Sequence, residues 1–147
     1  MPRTYLVDTN IFLEVMLSQS RSEECKRILT MLRQGKVEGV VTDFTVHSIM
    51  VLMDRLKRLE ELRVFLSSLT AYKGLCVYTT SISDELRAAE LAGECELDID
   101  DAIQYAAALS TQAAAIISFD KDLDDLKVSR KEPAQIVEDA ETKPDQA

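Results

Sequence analysis

The chain has 147 residues, 46% of them hydrophobic and 29% charged, with a formal net charge of −9. That length suits one domain with a sizeable core, and the balance is that of a globular protein. The acidic charge argues against a surface that tracks nucleic-acid phosphates without sequence preference, because such binders are basic, and no apolar run is long enough to span a membrane.

The elements alternate along the chain. "TYLVD" predicts a strand and "IFLEVML" a helix. Asp8 and Asn10 interrupt the apolar residues near the N-terminus, so no signal-peptide core forms there, and a cytoplasmic protein is expected. Ser20 and Glu23 have the spacing of a capping box. Cys25, Ile28, Leu29 and Leu32 then repeat at helical spacing, and Gly35 closes that helix. "VEGVVTD" reads as a second strand. Residues 44–70 read as helical, with Val46, Ile49, Met50 and Met53 on one face and a break near 58–61. Gly74 precedes a third strand, "LCVYTT". "SISDELRAAELAG" reads as a helix stopped by Gly93, "ECELD" as a loop, and "IDDAIQYAAALS" as a helix capped by Asp98 or Asp100. "AAAIISFD" is a fourth strand, "KDLDDL" a helical turn, and strand-like residues resume near 127–129. Residues 1–138 are expected to form one domain and 139–147 a polar, disordered tail. The order, and strands whose apolar residues do not alternate, predict an α/β/α sandwich around a mostly parallel sheet.

Several chemistries are disfavoured by count and spacing. Cys25, Cys76 and Cys95 form no C-x-x-C pair, and Cys25 and Cys76 read as buried thiols. His47 is the lone histidine, which excludes a His-rich zinc site and, with no G-x-S-x-G, argues against a Ser-His-Asp hydrolase. "DKDLDD" begins like an EF-hand, but Asp125 replaces the required Gly and Lys131 stands where the last Glu belongs.

Carboxylates at element ends carry the functional signal. "YLVD" ends on Asp8 and "AIISFD" on Asp120, both at the carboxyl end of a predicted strand, where open parallel sheets build their sites. Asp101 lies in the first turn of the helix before the Asp120 strand, and "VVTD" puts Asp43 at another strand end. Acids gathered on one edge repel each other and are tolerated where they hold a hard cation such as Mg²⁺ or Mn²⁺. Read singly, each is a common turn or cap residue, and Asp98, Asp100 and Asp101 also fit as helix-start acids favoured by the macrodipole.

These segments resemble the PIN-domain family. "YLVDTNIFLE" is similar to the family's opening strand with its first metal-binding Asp. "LDIDDAIQYAAAL" is similar to the helix with a later acid, at Asp101, and "IISFDKDL" to the strand and turn with the last acid, with Ser118 and Asp120 at the matching positions. The resemblance implies Mg²⁺- or Mn²⁺-dependent endonucleolytic cleavage of RNA, as in toxins of toxin–antitoxin pairs. It implies Asp8, Asp101 and Asp120 as catalytic metal ligands, and a homodimer silenced by a small antitoxin. Thr9, Asn10 and Ser118 are supporting candidates, Asp43 and Asp122 further metal candidates, and His47, Ser48 and Lys121 candidate substrate contacts. One departure stands out. The family's usual Glu, early in the helix after the second strand, is absent from "VTDFTVHSIMVLM", where His47 or Ser48 takes the place. Three readings therefore compete with the nuclease. The first is a PIN-fold binding protein without turnover. The second is a phosphatase with Asp8 as nucleophile, although Asn10 stands where its second Asp belongs. The third is a structural α/β domain whose acids lie apart. Phe65, Leu66, Leu69 and Tyr72 would serve a dimer face or the core equally well.

Overall fold

A computed structural model describes residues 3–142. Five strands, β1 (Thr4–Val7), β2 (Glu38–Thr42), β3 (Leu75–Tyr78), β4 (Ile116–Ile117) and β5 (Arg130–Lys131), form one sheet in the order β3-β2-β1-β4-β5. Every pairing is parallel, with Leu6 opposite both Val40 and Ile116. The chain runs outward from β1 through β2 to β3, then returns to lay β4 on the other side of β1. The strand order therefore reverses between β1 and β4, and a crevice opens there at the carboxyl ends of the strands.

Seven helices cover the two faces: α1 (Thr9–Met16), α2 (Ser22–Gln34), α3 (Asp43–Arg55), α4 (Leu59–Leu69), α5 (Ile82–Glu94), α6 (Ile99–Ser110) and α7 (Pro133–Thr142). Strand residues alternate between two cores. Tyr5, Val7, Val41 and Ile117 pack with Ile11, Phe12, Ile28, Ile49 and Ile136 on one face. Leu6, Val40 and Ile116 pack with Leu91, Ile103 and the alanines of α6 on the other. Burial on both faces is why the strands read as continuous apolar runs. Residues 101–108 of α6 are all buried, and their small alanines let this helix lie close to the sheet.

Several local expectations are corrected. Ser20 does not cap α2. The N-cap is Arg21, with no side-chain capping bond, and its amide is taken by Glu14 Oε2 at 3.0 Å. The helix entry is thus set by partners outside it. In α3 the buried ridge is Thr45, Ile49 and Met53, whereas Met50 is exposed. The helical break comes at Leu56–Lys57, where Lys57 has a positive φ, just ahead of the expected position. Helix α5 passes through Gly93 to Glu94, and the reversal falls at Glu96 (φ 55°). The last strand is Arg130–Lys131, and α7, not foreseen, runs to Thr142 across the expected start of the tail. Residues 143–147 lie outside the described residues. Cys25 is buried as expected, but Cys76 is exposed, because β3 is the edge of the sheet. Phe65 belongs to the core and meets Phe12 edge-on at 5.5 Å, with Leu66, Leu69 and Tyr72 packed around it. Those side chains consequently lend no support to a dimer face.

Gly35 ends α2 in the left-handed conformation (φ 77°), as expected. Gly74 is constrained by space instead. Its N–H donates to Leu32 O, and a Cβ there would come within 2.2 Å of Val37 O and 2.9 Å of Leu32 O. Because those obstacles are backbone atoms, Gly74→Ala is expected to destabilise the fold by about 3 kcal/mol, the upper end for overpacking. Urea unfolding of the purified variant measures this directly.

Candidate active site

The crevice between β1 and β4 is a cleft of about 220 Å³ lined in part by Asp8, Asp100, Asp101 and Asp120. Each acid arrives by a different local route. Asp8 follows the last residue of β1 and is the N-cap of α1; its Oδ1 accepts the Thr9 N–H at 2.8 Å. Asp120 caps the single 3-10 turn Lys121–Leu123, its Oδ1 accepting the Asp122 N–H at 2.9 Å. Asp100 and Asp101 sit in the first turn of α6, after Asp98 at the N-cap position, whose side chain makes no capping bond. A connection that crosses the sheet brings this helix start to the same edge as the two strand ends.

Ser118 ties two of these acids together. Its hydroxyl donates to Asp8 Oδ2 at 2.7 Å and accepts the Asp120 N–H at 2.9 Å. Behind them lies a buried polar cluster. Gln104 Nε2 donates to Thr45 Oγ1 at 2.6 Å and to Thr9 Oγ1 at 3.3 Å, while Thr42 Oγ1 donates to Gln104 Oε1 at 3.3 Å. Thr42 also caps α3 through the Thr45 N–H. Residues from α1, α3 and α6 are thereby locked around the floor of the cleft. Gln104→Leu would remove the amide that the three hydroxyls share and leave them only their bonds to one another and to the Thr45 N–H, and a loss of about 2 kcal/mol in unfolding free energy is expected from the hydrogen bonds lost, to be read by chemical denaturation.

The electrostatics are those of crowded, desolvated carboxylates. Asp8 is only 5% exposed and Asp101 7%. Burial pushes the Asp8 carboxyl above its usual range against the lowering effect of the Ser118 and Thr9 hydrogen bonds, and the charges of Asp120 and Asp100 add to the rise. Asp101 is pushed up to about 8, first by burial and then by Asp120, Asp100 and Asp8. Among the described residues, no basic side chain lines the cleft. One carboxylate oxygen from each of Asp101, Asp120 and Asp122 lies within 4.8 Å of the others, and Asp98, Asp100 and Asp101 form a second such group. Hard oxygen donors at this spacing, with no cationic side chain among them, fit Mg²⁺ or Mn²⁺.

The other expected residues separate clearly. Thr9 and Asn10 line the cleft. Asp122 joins the acid group although it is exposed. Asp43 does not line the cleft: its Oδ1 accepts the Thr80 N–H at 3.1 Å, the Thr80 hydroxyl at 2.9 Å and the Phe44 N–H at 3.0 Å, which turns it to the loop after β3. Of the two residues that stand where the family's Glu belongs, Ser48 lines both the cleft and a neighbouring groove, whereas His47 lines the groove and is outside the cleft lining. Lys121 is exposed and outside the lining. Asp100 and Gln104 were not foreseen as site residues. Asp100 reads as one more helix-start acid, and Gln104 carries no local signal, since its role depends on residues far away in sequence.

A doubly wound α/β sheet with an acid-lined cleft at its switch point is the class of protein that the fold and site define. The PIN domain family model matches residues 5–128, and the chain belongs to that family. Among solved structures, a toxin–antitoxin complex from Klebsiella pneumoniae is 23% identical with a TM-score of 0.64, covering 88% of this chain and 97% of that one. VapC20 of Mycobacterium tuberculosis, a sarcin-ricin loop cleaving toxin, is 16% identical with a TM-score of 0.65, covering 80% and 91%. VapBC2 from Rickettsia felis, bound to a promoter DNA fragment, is 13% identical with a TM-score of 0.66, covering 88% and 98%. At these identities the likeness is one of fold. No curated protein matches the sequence.

Proposed function

We propose that this protein is a metal-dependent endoribonuclease and the toxin of a toxin–antitoxin pair. The observation that carries the reading is the convergence of Asp8, Asp101 and Asp120, from two strand ends and a helix start, on one cleft in a PIN-family fold. The toxin–antitoxin setting of the similar structures supports a small protein antitoxin as partner. A cytoplasmic location and a homodimer complete the proposal. No helix among the described residues is long and apolar enough to cross a membrane. Sedimentation as a monomer at micromolar concentration would remove the dimer.

Asp101, Asp120 and Asp122, whose carboxylate oxygens lie close together, would hold Mg²⁺ or Mn²⁺, with Asp8, which lines the same cleft, as the further ligand proposed. A bound divalent ion supplies Lewis acidity to a phosphoryl oxygen and lowers the pKa of water. The chain's own contribution is orientation. Ser118 and the Thr9 amide fix both oxygens of Asp8. Before a cation enters, the raised affinity of Asp101 for a proton keeps like charges from meeting Asp120. Asn10 and Ser48 offer neutral donors to phosphate oxygens from the lining of the cleft, and Phe44 and Leu13 give it an apolar wall.

A second reading, a PIN-fold binding protein with little turnover, is favoured by Ser48, which brings no charge to the place where the family's Glu is expected. Against it, Asp100 contributes a further carboxylate to the same cleft. Incubating the protein with labelled RNAs in Mg²⁺, Mn²⁺ or chelator decides between them. Cleavage that needs the metal supports the nuclease. Stabilisation by Mn²⁺ without cleavage of any RNA supports the binding protein. Neither response would sink both.

A further inference from the structure

A brace of arginines lies behind the turn that carries Asp120 and Asp122. Arg130, on β5, has a side chain only 12% exposed, and its guanidinium reaches three segments. Nη1 donates to Ser118 O at 3.1 Å, at the end of β4, and to Glu132 Oε2 at 3.1 Å. Nε donates to Asp124 Oδ1 at 2.7 Å, just beyond the 3-10 turn. Arg130 therefore grips residues 118 and 124, on either side of Asp120 and Asp122. Glu132 also accepts from Arg21 Nη2 at 2.7 Å, and the Arg21 guanidinium lies 3.9 Å from the Phe119 ring centroid. Ser118 and its neighbour Phe119 are thus pinned through a backbone carbonyl and a ring.

We infer that Arg130 is a positioning residue, which holds the 118–124 turn in the geometry that brings the Asp120 and Asp122 carboxylates to Asp101. The effect on cation binding rests on the function proposed above; the grip on the turn does not. Two physical reasons support the role. A turn bearing Asp120, Asp122, Asp124 and Asp125 repels itself and the acids of α6, and a fixed cation on its far side offsets that repulsion. A planar guanidinium spreads its donors over three nitrogens in a fixed fork and can hold a carbonyl and two carboxylates in set directions, where a lysine offers one freely turning point charge. Ser118 transmits the constraint to Asp8 through its hydroxyl.

The test compares wild type with Arg130→Met and Arg130→Lys, using two readouts. The first is amide hydrogen exchange at Asp120 and Asp122 in metal-free protein, with the Ala106 amide in α6 as a reference for global opening. Arg130→Met is expected to speed exchange at both turn amides by about tenfold beyond any change at Ala106, with Arg130→Lys between it and wild type. The second is the Mn²⁺ concentration that gives half of the maximal rise in melting temperature. It is expected to increase about tenfold in Arg130→Met, the scale on which outer partners of metal ligands act. Exchange that is unchanged at the turn, or raised equally at Ala106, overturns the inference. So does a loosened turn with a Mn²⁺ midpoint within twofold of wild type. If wild type shows no Mn²⁺ response while the turn loosens in Arg130→Met, the metal reading of the site falls and the grip of Arg130 on the turn stands.

Discussion

Asp8→Asn is expected to cut metal-dependent RNA cleavage and metal-induced stabilisation sharply and together, while leaving the metal-free protein about as stable as wild type. The substitution keeps the size of the side chain and an oxygen able to accept the Thr9 N–H. It removes a negative charge that burial makes costly, because the Asp8 carboxyl is raised above its usual range chiefly by desolvation. In the metal-free state that removal offsets the loss of the Ser118 hydrogen bond, which an amide nitrogen cannot accept. With a divalent cation the same charge is the reason for binding, and its loss is expected to lower cleavage by roughly two to three orders of magnitude, the size seen when one preorganised electrostatic group is deleted. Gel assays on labelled RNA and melting curves with Mn²⁺ or chelator read the two effects on one preparation. A variant that cleaves RNA at the wild-type rate would remove Asp8 from the mechanism. A variant that melts well below wild type in chelator would show that Asp8 is a structural cap for α1 and that its charge is no burden.

The metal-free protein is also expected to lose stability as the pH rises from about 4 to about 8. Asp101 carries this prediction, since its folded-state pKa is about 8 against an ordinary value of 3.8. A carboxyl whose pKa is raised on folding binds its proton more tightly in the native state. Its contribution is complete below the ordinary value and is lost as the pH climbs through the folded value. Asp8 is shifted in the same direction by the same cause, burial. Solvent in the cleft and the proximity of Asp120 spread the change, so about 2 kcal/mol between pH 5 and pH 8 is a reasonable size. At roughly 2–4 °C per kcal/mol this is a fall of about 6 °C in Tm. Asp84 acts in the opposite sense. The Ser81, Tyr78 and Ser110 hydrogen bonds outweigh its burial and hold it below the usual range, so its stabilisation is lost only as the pH falls below about 4. The two windows do not overlap. Saturating Mn²⁺ should remove or reverse the alkaline loss, because cation binding displaces the proton from Asp101 and grows stronger as the pH rises. Melting curves from pH 5 to pH 8, with chelator and with Mn²⁺, check this. A flat profile in chelator would mean that the acids are solvated and do not crowd one another.

How much of this was legible in advance follows from what local pattern encodes. "YLVD" and "IISFD" announced Asp8 and Asp120 because an apolar strand that ends on an acid needs only neighbouring residues to be recognised, and "IDDAIQYAAAL" announced a helix with acids in its first turn in the same way. The sheet class followed from runs buried on both faces. Residues whose placement depends on distant partners were misread or missed. Asp43 has the same strand-end signature as Asp8, yet Thr80, 37 positions away, turns it from the cleft. Ser20 and Glu23 have capping spacing, but Arg21 takes its partners from Glu14 and Glu132. Cys76 sits in an apolar run and is exposed because β3 is an edge strand, a fact of strand order.

The amino-acid sequence by itself determined the element types, most of their ends, and the acids that stand at those ends, because hydrophobic periodicity, caps and breakers act over a few residues. Only the tertiary structure decided which acids meet. The return of β4 to the side of β1 set Asp120 beside Asp8, and the packing of α6 against the sheet brought Asp101 and Asp100 to them. Gln104 and Arg130 acquired their roles in the same step, since a buried amide or guanidinium must find its partners wherever the folded chain places them.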